Sequence, residues 1–200
     1  MDLWHYEREA LEQGHALVCG CDEAGAGPLA GPVYAAAVIL PLGVEIEGLD
    51  DSKKLTEKKR EALFPVIQEK ALAWAVARVE AAEIDETDIL SARMKAMQLA
   101  MDQLALRPDF ALIDGNRDHG RSFALTMPHR CIVKGDSLSA SIAAASILAK
   151  VSRDRFMVEQ DRLYPAYGFA RHKGYGTAQH REAIARLGPC PIHRRTFLKG

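Results

Sequence analysis

Apolar residues along the 200-residue chain form short unbroken runs in some places and a helical repeat in others. The two patterns divide the chain into strands and helices. Residues 16–19 and 33–40 are apolar runs, β-branched or aromatic in part and bounded by Gly and Pro, and they predict two strands. Residues 74–79 alternate loosely and predict a third. Before it, residues 56–71 read as a helix capped by Thr56 and kinked or broken at Pro65. From Glu83 the period becomes helical, with Ile89, Leu90, Met94, Met97, Met101 and Leu104 on one face. That stripe is flexible core filler, and Arg107-Pro108 ends the helix. Residues 110–113 and 131–133 are two more strands, joined by a polar surface connection. Small residues from Ser139 onward predict a helix that can lie very close to a sheet, running to about Tyr164 before Pro165. A last helix covers about 177–187, and residues 1–13 form a short amphipathic helix or lead-in to which no function is assigned. Adjacent strands first and helix-separated strands later predict an α/β architecture, a mixed sheet covered by helices in one main domain.

Three of the predicted strands end in carboxylates: Asp22 with Glu23, Asp114, and Asp136, each followed by Gly or Ser. The carboxyl ends of neighbouring parallel strands meet at one crevice in an open α/β sheet, so these acids are expected to converge. Four carboxylates there repel one another unless protonated or balanced by cations. A hard divalent ion with oxygen ligands, Mg²⁺ or Mn²⁺, is the natural solution. Two such ions about 3.5–4 Å apart hold the attacking water and leaving oxygen of a phosphodiester in line, which makes a metal-dependent nuclease the sharpest reading. Two of these positions also have a plainer reading, Asp22-Glu23 as a solvated turn and Asp136 as an ordinary helix N-cap.

Charge strengthens the nuclease reading. Residues 1–109 carry twenty acidic and eleven basic side chains, a balance of −9, whereas residues 110–200 carry seven and fifteen, a balance of +8. The stretch 168–200 alone holds Arg171, Lys173, Arg181, Arg186, Arg194, Arg195 and Lys199 against Glu182. Such a segment suits a polyanion. Cys19, Cys21, Cys131 and Cys190 lack the C-x-x-C pairs of zinc or thioredoxin-type centres and read as reduced thiols. The N-terminal residues are polar and no apolar run reaches membrane-spanning length, so a cytoplasmic protein without membrane association is expected.

Two other functions compete on the residues alone. Gly25-Ala26-Gly27-Pro28-Leu29-Ala30 fits the dinucleotide-binding pattern G-x-G-x-x-G/A, with Glu45 or Glu47 at the distance of a ribose-binding acid. That pattern must open a helix, however, and here it runs through two prolines into an apolar strand. The other is a non-catalytic nucleic-acid-binding module whose carboxylates serve only caps and turns.

Several motifs occur in a set order: Cys21-Asp22-Glu23-Ala24-Gly25, Gly27-Pro28-Leu29-Ala30-Gly31-Pro32, Asp51-Ser52-Lys53, Leu112-Ile113-Asp114-Gly115, Lys134-Gly135-Asp136-Ser137, His172-Lys173-Gly174-Tyr175 and Pro191-Ile192-His193-Arg194. Together they resemble the bacterial ribonuclease HII family over about residues 15–197. The resemblance implies a ribonuclease H-like fold, with a mixed five-stranded sheet flanked by helices and a small helical C-terminal region. A single domain would span 1–200, with about 165–200 as its basic substrate-binding part. The implied activity is hydrolysis of RNA joined to DNA in a duplex, including single embedded ribonucleotides, leaving a 3′-hydroxyl and acting as a monomer. The family's metal-binding acids fall on Asp22, Glu23, Asp114 and Asp136. Its ribose-reading glycine loop falls on Gly25, Ala26 and Gly27, its sugar-packing tyrosine on Tyr175, and phosphate contacts on Lys53, His172 and Lys173. An aspartate at Asp136 and no extra N-terminal domain favour type HII over the related ribonuclease HIII. One departure stands out: the family carries Gly-Arg-Gly where this chain has Ala26, which cannot make the bidentate, charge-assisted phosphate bonds of a guanidinium.

Overall fold

The computed structural model describes residues 2–198. Lys199, part of the basic C-terminal stretch, lies outside the described residues. A five-stranded sheet with order β3-β2-β1-β4-β5 is built from β1 (Val18–Ala24), β2 (Val33–Ile39), β3 (Ala73–Val79), β4 (Phe110–Asp114) and β5 (His129–Ile132). β1, β2 and β3 pair antiparallel, whereas β4 lies parallel to β1 and β5 parallel to β4. The sheet is therefore mixed, and its parallel neighbours β1 and β4 carry Asp22, Glu23 and Asp114 at their carboxyl ends.

The helices are α1 (His5–Glu12), α2 (Glu57–Lys70), α3 (Ala81–Glu86), α4 (Ile89–Asp102), α5 (Ala140–Leu163), α6 (Phe169–His172) and α7 (Ala178–Leu187). Because side chains alternate along a strand, Cys19, Cys21, Ala111 and Ile113 face α4 and its methionines. The opposite face, with Val18, Leu112, Ala36 and Val38, packs on α5. Small residues set how close α5 comes: a Cβ built on Gly20 would lie 2.3 Å from the Ser141 backbone. That approach brings the turn preceding α5 against the end of β1.

Three local features differ from the sequence reading. Thr56 caps α2 as expected, but Pro65 neither breaks nor ends it, since Leu63 and Ile67 on either side are buried and hold the helix together. The stripe helix α4 stops at Asp102 rather than at Arg107. Ser139, not Asp136, caps α5 by accepting from the Ile142 N–H, and this frees Asp136 from the N-cap role. Residues 1–13 also have structural work: buried Glu7 accepts from Ser139 Oγ, Ser141 N and Ser141 Oγ, placing a carboxylate on the first turn of α5.

Candidate active site

Continuing the parallel register beyond Cys21–Ile113 sets Asp22 beside Asp114, both directed to the α5 face. Asp136 arrives from a 3-10 turn, Gly135–Ser137, four residues beyond β5 rather than from the strand end itself. One carboxylate oxygen from each of Asp22, Asp114 and Asp136 lies within 4.8 Å of the others. Glu23 does not join this trio. It emerges on the α4 face, where Oε1 pairs with Arg93 Nη2 at 2.6 Å while Oε2 is buried without a partner among the described residues.

Burial dominates the electrostatics. Asp22 is only 3% exposed. Burial, with the Glu23 and Asp114 charges behind it, pushes the Asp22 carboxyl well above the usual range, although the Glu23 N–H and Lys53 pull the other way. Burial and then the charge of Asp136 raise Asp114 likewise, and the Asp136 N–H bonded to it at 3.3 Å only moderates the effect. Asp51, which reads as part of a turn, is a fifth carboxyl at the site, raised by burial and by Asp136. Lys53 Nζ lies 3.0 Å from Asp136 Oδ2. Burial opposes its charge, yet the bond and attraction to Asp136, with Asp22 and Asp51 beyond, hold it above the usual lysine range. Five carboxyls thus face two cations, Lys53 and Arg93. The convergent oxygens, the orphaned Glu23 Oε2 and this charge imbalance fit a hard divalent ion.

Beside the acids, residues 25–32 form a loop held by two buried arginines that have no carboxylate partner among the described residues. Arg153 donates to the carbonyls of Pro32, Ala30 and Lys173. Arg194 donates to those of Gly31, Ala26 and Gly25. Gly25 has φ +95°, and a Cβ there would meet Arg153 Nε at 2.0 Å, so glycine makes room for the staple. Gly27 is exposed with open space around it, and Ala26 is half-buried, its carbonyl taken by Arg194. Gly174 O accepts from Leu29 N, tying the loop to Tyr175, which is 43% exposed.

The expected phosphate contacts divide. Lys53 is solvent-facing at the acids. His172 is 7% exposed and turned inward, its Nε2 on the Tyr167 carbonyl and its Nδ1 on the Gly174 N–H. Because a ring with both nitrogens engaged by backbone has none left for a phosphate, His172 positions the 172–175 turn. Lys173 is also engaged, with its ammonium on the Ala170 carbonyl and 3.9 Å from Glu57. Of the basic C-terminal residues, Arg171, Arg181, Arg186 and Arg195 are exposed, while Arg194 is buried. Sequence reasoning missed Arg153, Arg194 and Arg93, because an arginine in isolation reads as a surface cation; only the Pro191-Ile192-His193-Arg194 motif hinted at one of them.

A mixed sheet that gathers carboxylates at the ends of its parallel strands, with a small-residue helix across them, is the architecture of the ribonuclease H-like nucleases. The family model for ribonuclease HII matches residues 19–199. The chain is 56% identical over 195 residues to ribonuclease HII of Geobacter metallireducens, covering 98% of this chain and 90% of that one. It is 54% identical over 199 residues to the enzyme of Acetivibrio thermocellus, covering 100% and 76%. Among solved structures, ribonuclease H2 from Pyrococcus horikoshii superposes with a TM-score of 0.74 at 29% identity, covering 90% of this chain and 93% of that one. The chain belongs to the ribonuclease HII family and is a type 2 ribonuclease H. Neither the dinucleotide pattern nor the binding-module reading is supported: residues 25–30 lead into β2, not a helix. Among the described residues no helix is long and apolar enough to cross a membrane.

Proposed function

We propose that Asp22, Glu23, Asp114 and Asp136 hold two divalent cations, Mg²⁺ or Mn²⁺, and that this site cuts 5′ of ribonucleotides in RNA–DNA hybrids and in duplex DNA, leaving a 3′-hydroxyl and a 5′-phosphate. The observation that carries the reading is the convergence of Asp22, Asp114 and Asp136 within 4.8 Å, which the single nearby ammonium of Lys53 balances only in part. When bound, such ions neutralise the charge developing on the scissile phosphate and hold its reacting oxygens in line. The protein's share is placement. Asp22 and Asp114 are fixed on adjacent strands, Asp136 is fixed by the close seat of α5, and Glu23 is oriented by Arg93.

Recognition falls to the loop beside the acids. Gly25 and Gly27 let backbone approach a ribose, whose 2′-hydroxyl separates RNA from DNA. Tyr175 presents its ring next to that loop, and Arg171, Arg181, Arg186 and Arg195 offer the duplex a cationic surface. Lys53 serves the phosphate nearest the acids. The reading treats the chain as one catalytic domain with a basic C-terminal region, working as a cytoplasmic monomer. Asp114→Asn tests it: turnover on a hybrid should vanish while hybrid binding stays within a few-fold. An active Asp114→Asn variant refutes the metal assignment.

A further inference from the structure

Away from the acids, three side chains of different chemistry meet at the sheet edge. β5 is the edge strand, and His129 and Cys131, two residues apart, project from the same face of it. Asp118 comes from the connection that follows Asp114. One carboxylate oxygen of Asp118, one ring nitrogen of His129 and Sγ of Cys131 lie within 4.8 Å of one another. All three residues are half-buried, so the cluster is sheltered yet reachable by an ion.

The orientation of His129 adds an independent argument. Its Nδ1 lies 2.6 Å from the Met127 carbonyl, which can only accept, so the ring proton is on Nδ1. Nε2 then faces Asp118 Oδ2 at 3.1 Å, a separation at which either a second ring proton or a metal ion must stand between nitrogen and carboxylate. A backbone carbonyl on one ring nitrogen, freeing and aiming the other, is how proteins fix metal-binding histidines. Donors around a tetrahedral Zn²⁺ lie about 3.3–3.6 Å apart given ordinary Zn–O, Zn–N and Zn–S distances, close to the Asp118–His129 separation.

We propose that Asp118, His129 and Cys131 form a second metal site, of the zinc class, with its fourth position open to water. A thiolate and an imidazole favour Zn²⁺ over Mg²⁺ and Mn²⁺, which prefer oxygen donors, so the two sites select different ions. The ion would pin the 115–128 connection to the edge strand, between the segments that deliver Asp114 and Asp136. It is a structural clip, independent of the catalytic reading. The cysteine spacing gives no sign of it because the ligands are of three types, one of them from a loop.

The test is titration of chelator-treated protein with Co²⁺ as a spectroscopic substitute for Zn²⁺. One equivalent should produce a sulfur-to-cobalt charge-transfer band, displaced by Zn²⁺ and untouched by excess Mg²⁺. The band should disappear in Cys131→Ser and persist in Asp114→Asn. His129→Gln, which keeps a polar side chain on the edge strand, should weaken binding by more than the roughly 10- to 100-fold typical of outer-sphere changes. Absence of a band in the wild-type protein would leave His129–Asp118 as a proton-bridged ion pair and overturn the proposal. A band that survives Cys131→Ser would assign the thiolate to another cysteine and overturn it equally.

Discussion

Replacing Arg194 by methionine separates the staple of the ribose-facing loop from its chemistry. The guanidinium is fully buried and donates to Gly31 O at 2.9 Å, Ala26 O at 3.0 Å and Gly25 O at 2.6 Å. Its burial is costly, since desolvation, followed by repulsion from Arg153, drags its pKa down to about 9. Burying such an ion costs several kcal/mol, and three charge-assisted bonds at about 1.5–3 kcal/mol each offset that cost. Methionine removes both terms and strands the carbonyls. Water can reach that of half-buried Ala26, whereas the buried Gly25 and Gly31 carbonyls lose about 1–3 kcal/mol each. We expect a net loss of about 3 kcal/mol, or roughly a 10 °C drop in Tm at this chain length. A loosened loop should raise KM for a duplex with one ribonucleotide by about tenfold or more, with kcat and metal affinity nearly unchanged. Denaturant unfolding and steady-state cleavage measure the two effects. Stability within about 0.5 kcal/mol of wild type together with an unchanged KM would refute the staple.

Other outcomes follow from the same geometry. Burial and carboxylate repulsion raise Asp114, so its ionised form costs stability at neutral pH; Asp114→Asn should stabilise the chelator-treated protein by about 0.5–2 kcal/mol while abolishing turnover, read by thermal melting and cleavage. Ala26→Arg should raise cleavage at a single ribonucleotide, by up to about 100-fold, more than it raises binding to all-DNA duplex; an unchanged rate means another cation already grips that phosphate. His180 Nε2 meets His193 Nε2 at 3.0 Å, and burial lowers the His180 pKa to about 4. A histidine with a depressed folded pKa binds its proton more readily when unfolded, so its contribution is complete above about pH 6.5 and lost between there and about pH 4. Acid unfolding should therefore steepen across that window in the wild type and flatten in His180→Phe, which cannot charge.

Much of the site was legible because its residues obey short-range rules. Asp22, Asp114 and Asp136 each follow an apolar strand and precede a turn, and strand-end logic is local. Period-two alternation, taken one step further, also separates Glu23 from Asp22 onto the other face. The mixed sheet was legible from the order of elements, but its strand order was not. Long-range contacts carried the rest. Arg153 and Arg194 satisfy carbonyls of the 25–32 loop, which only the folded chain brings to them. His172 reads as a cation beside Lys173 until the Tyr167 carbonyl and Gly174 N–H claim its ring. Pro65 sits within α2 because burial of Leu63 and Ile67 outweighs one missing backbone bond. Glu7 belongs to α5 in function and to residues 1–13 in sequence.

The central claim, that the carboxylates of β1, β4 and the turn before α5 use divalent ions to cut at ribose, is tested most directly on a DNA duplex carrying one ribonucleotide. The account predicts a single cut on its 5′ side with Mg²⁺ or Mn²⁺, leaving a 3′-hydroxyl, and no cut in chelator or on the all-DNA duplex. Cleavage that persists in chelator, cleavage of the all-DNA duplex, or no cleavage with either ion would contradict it.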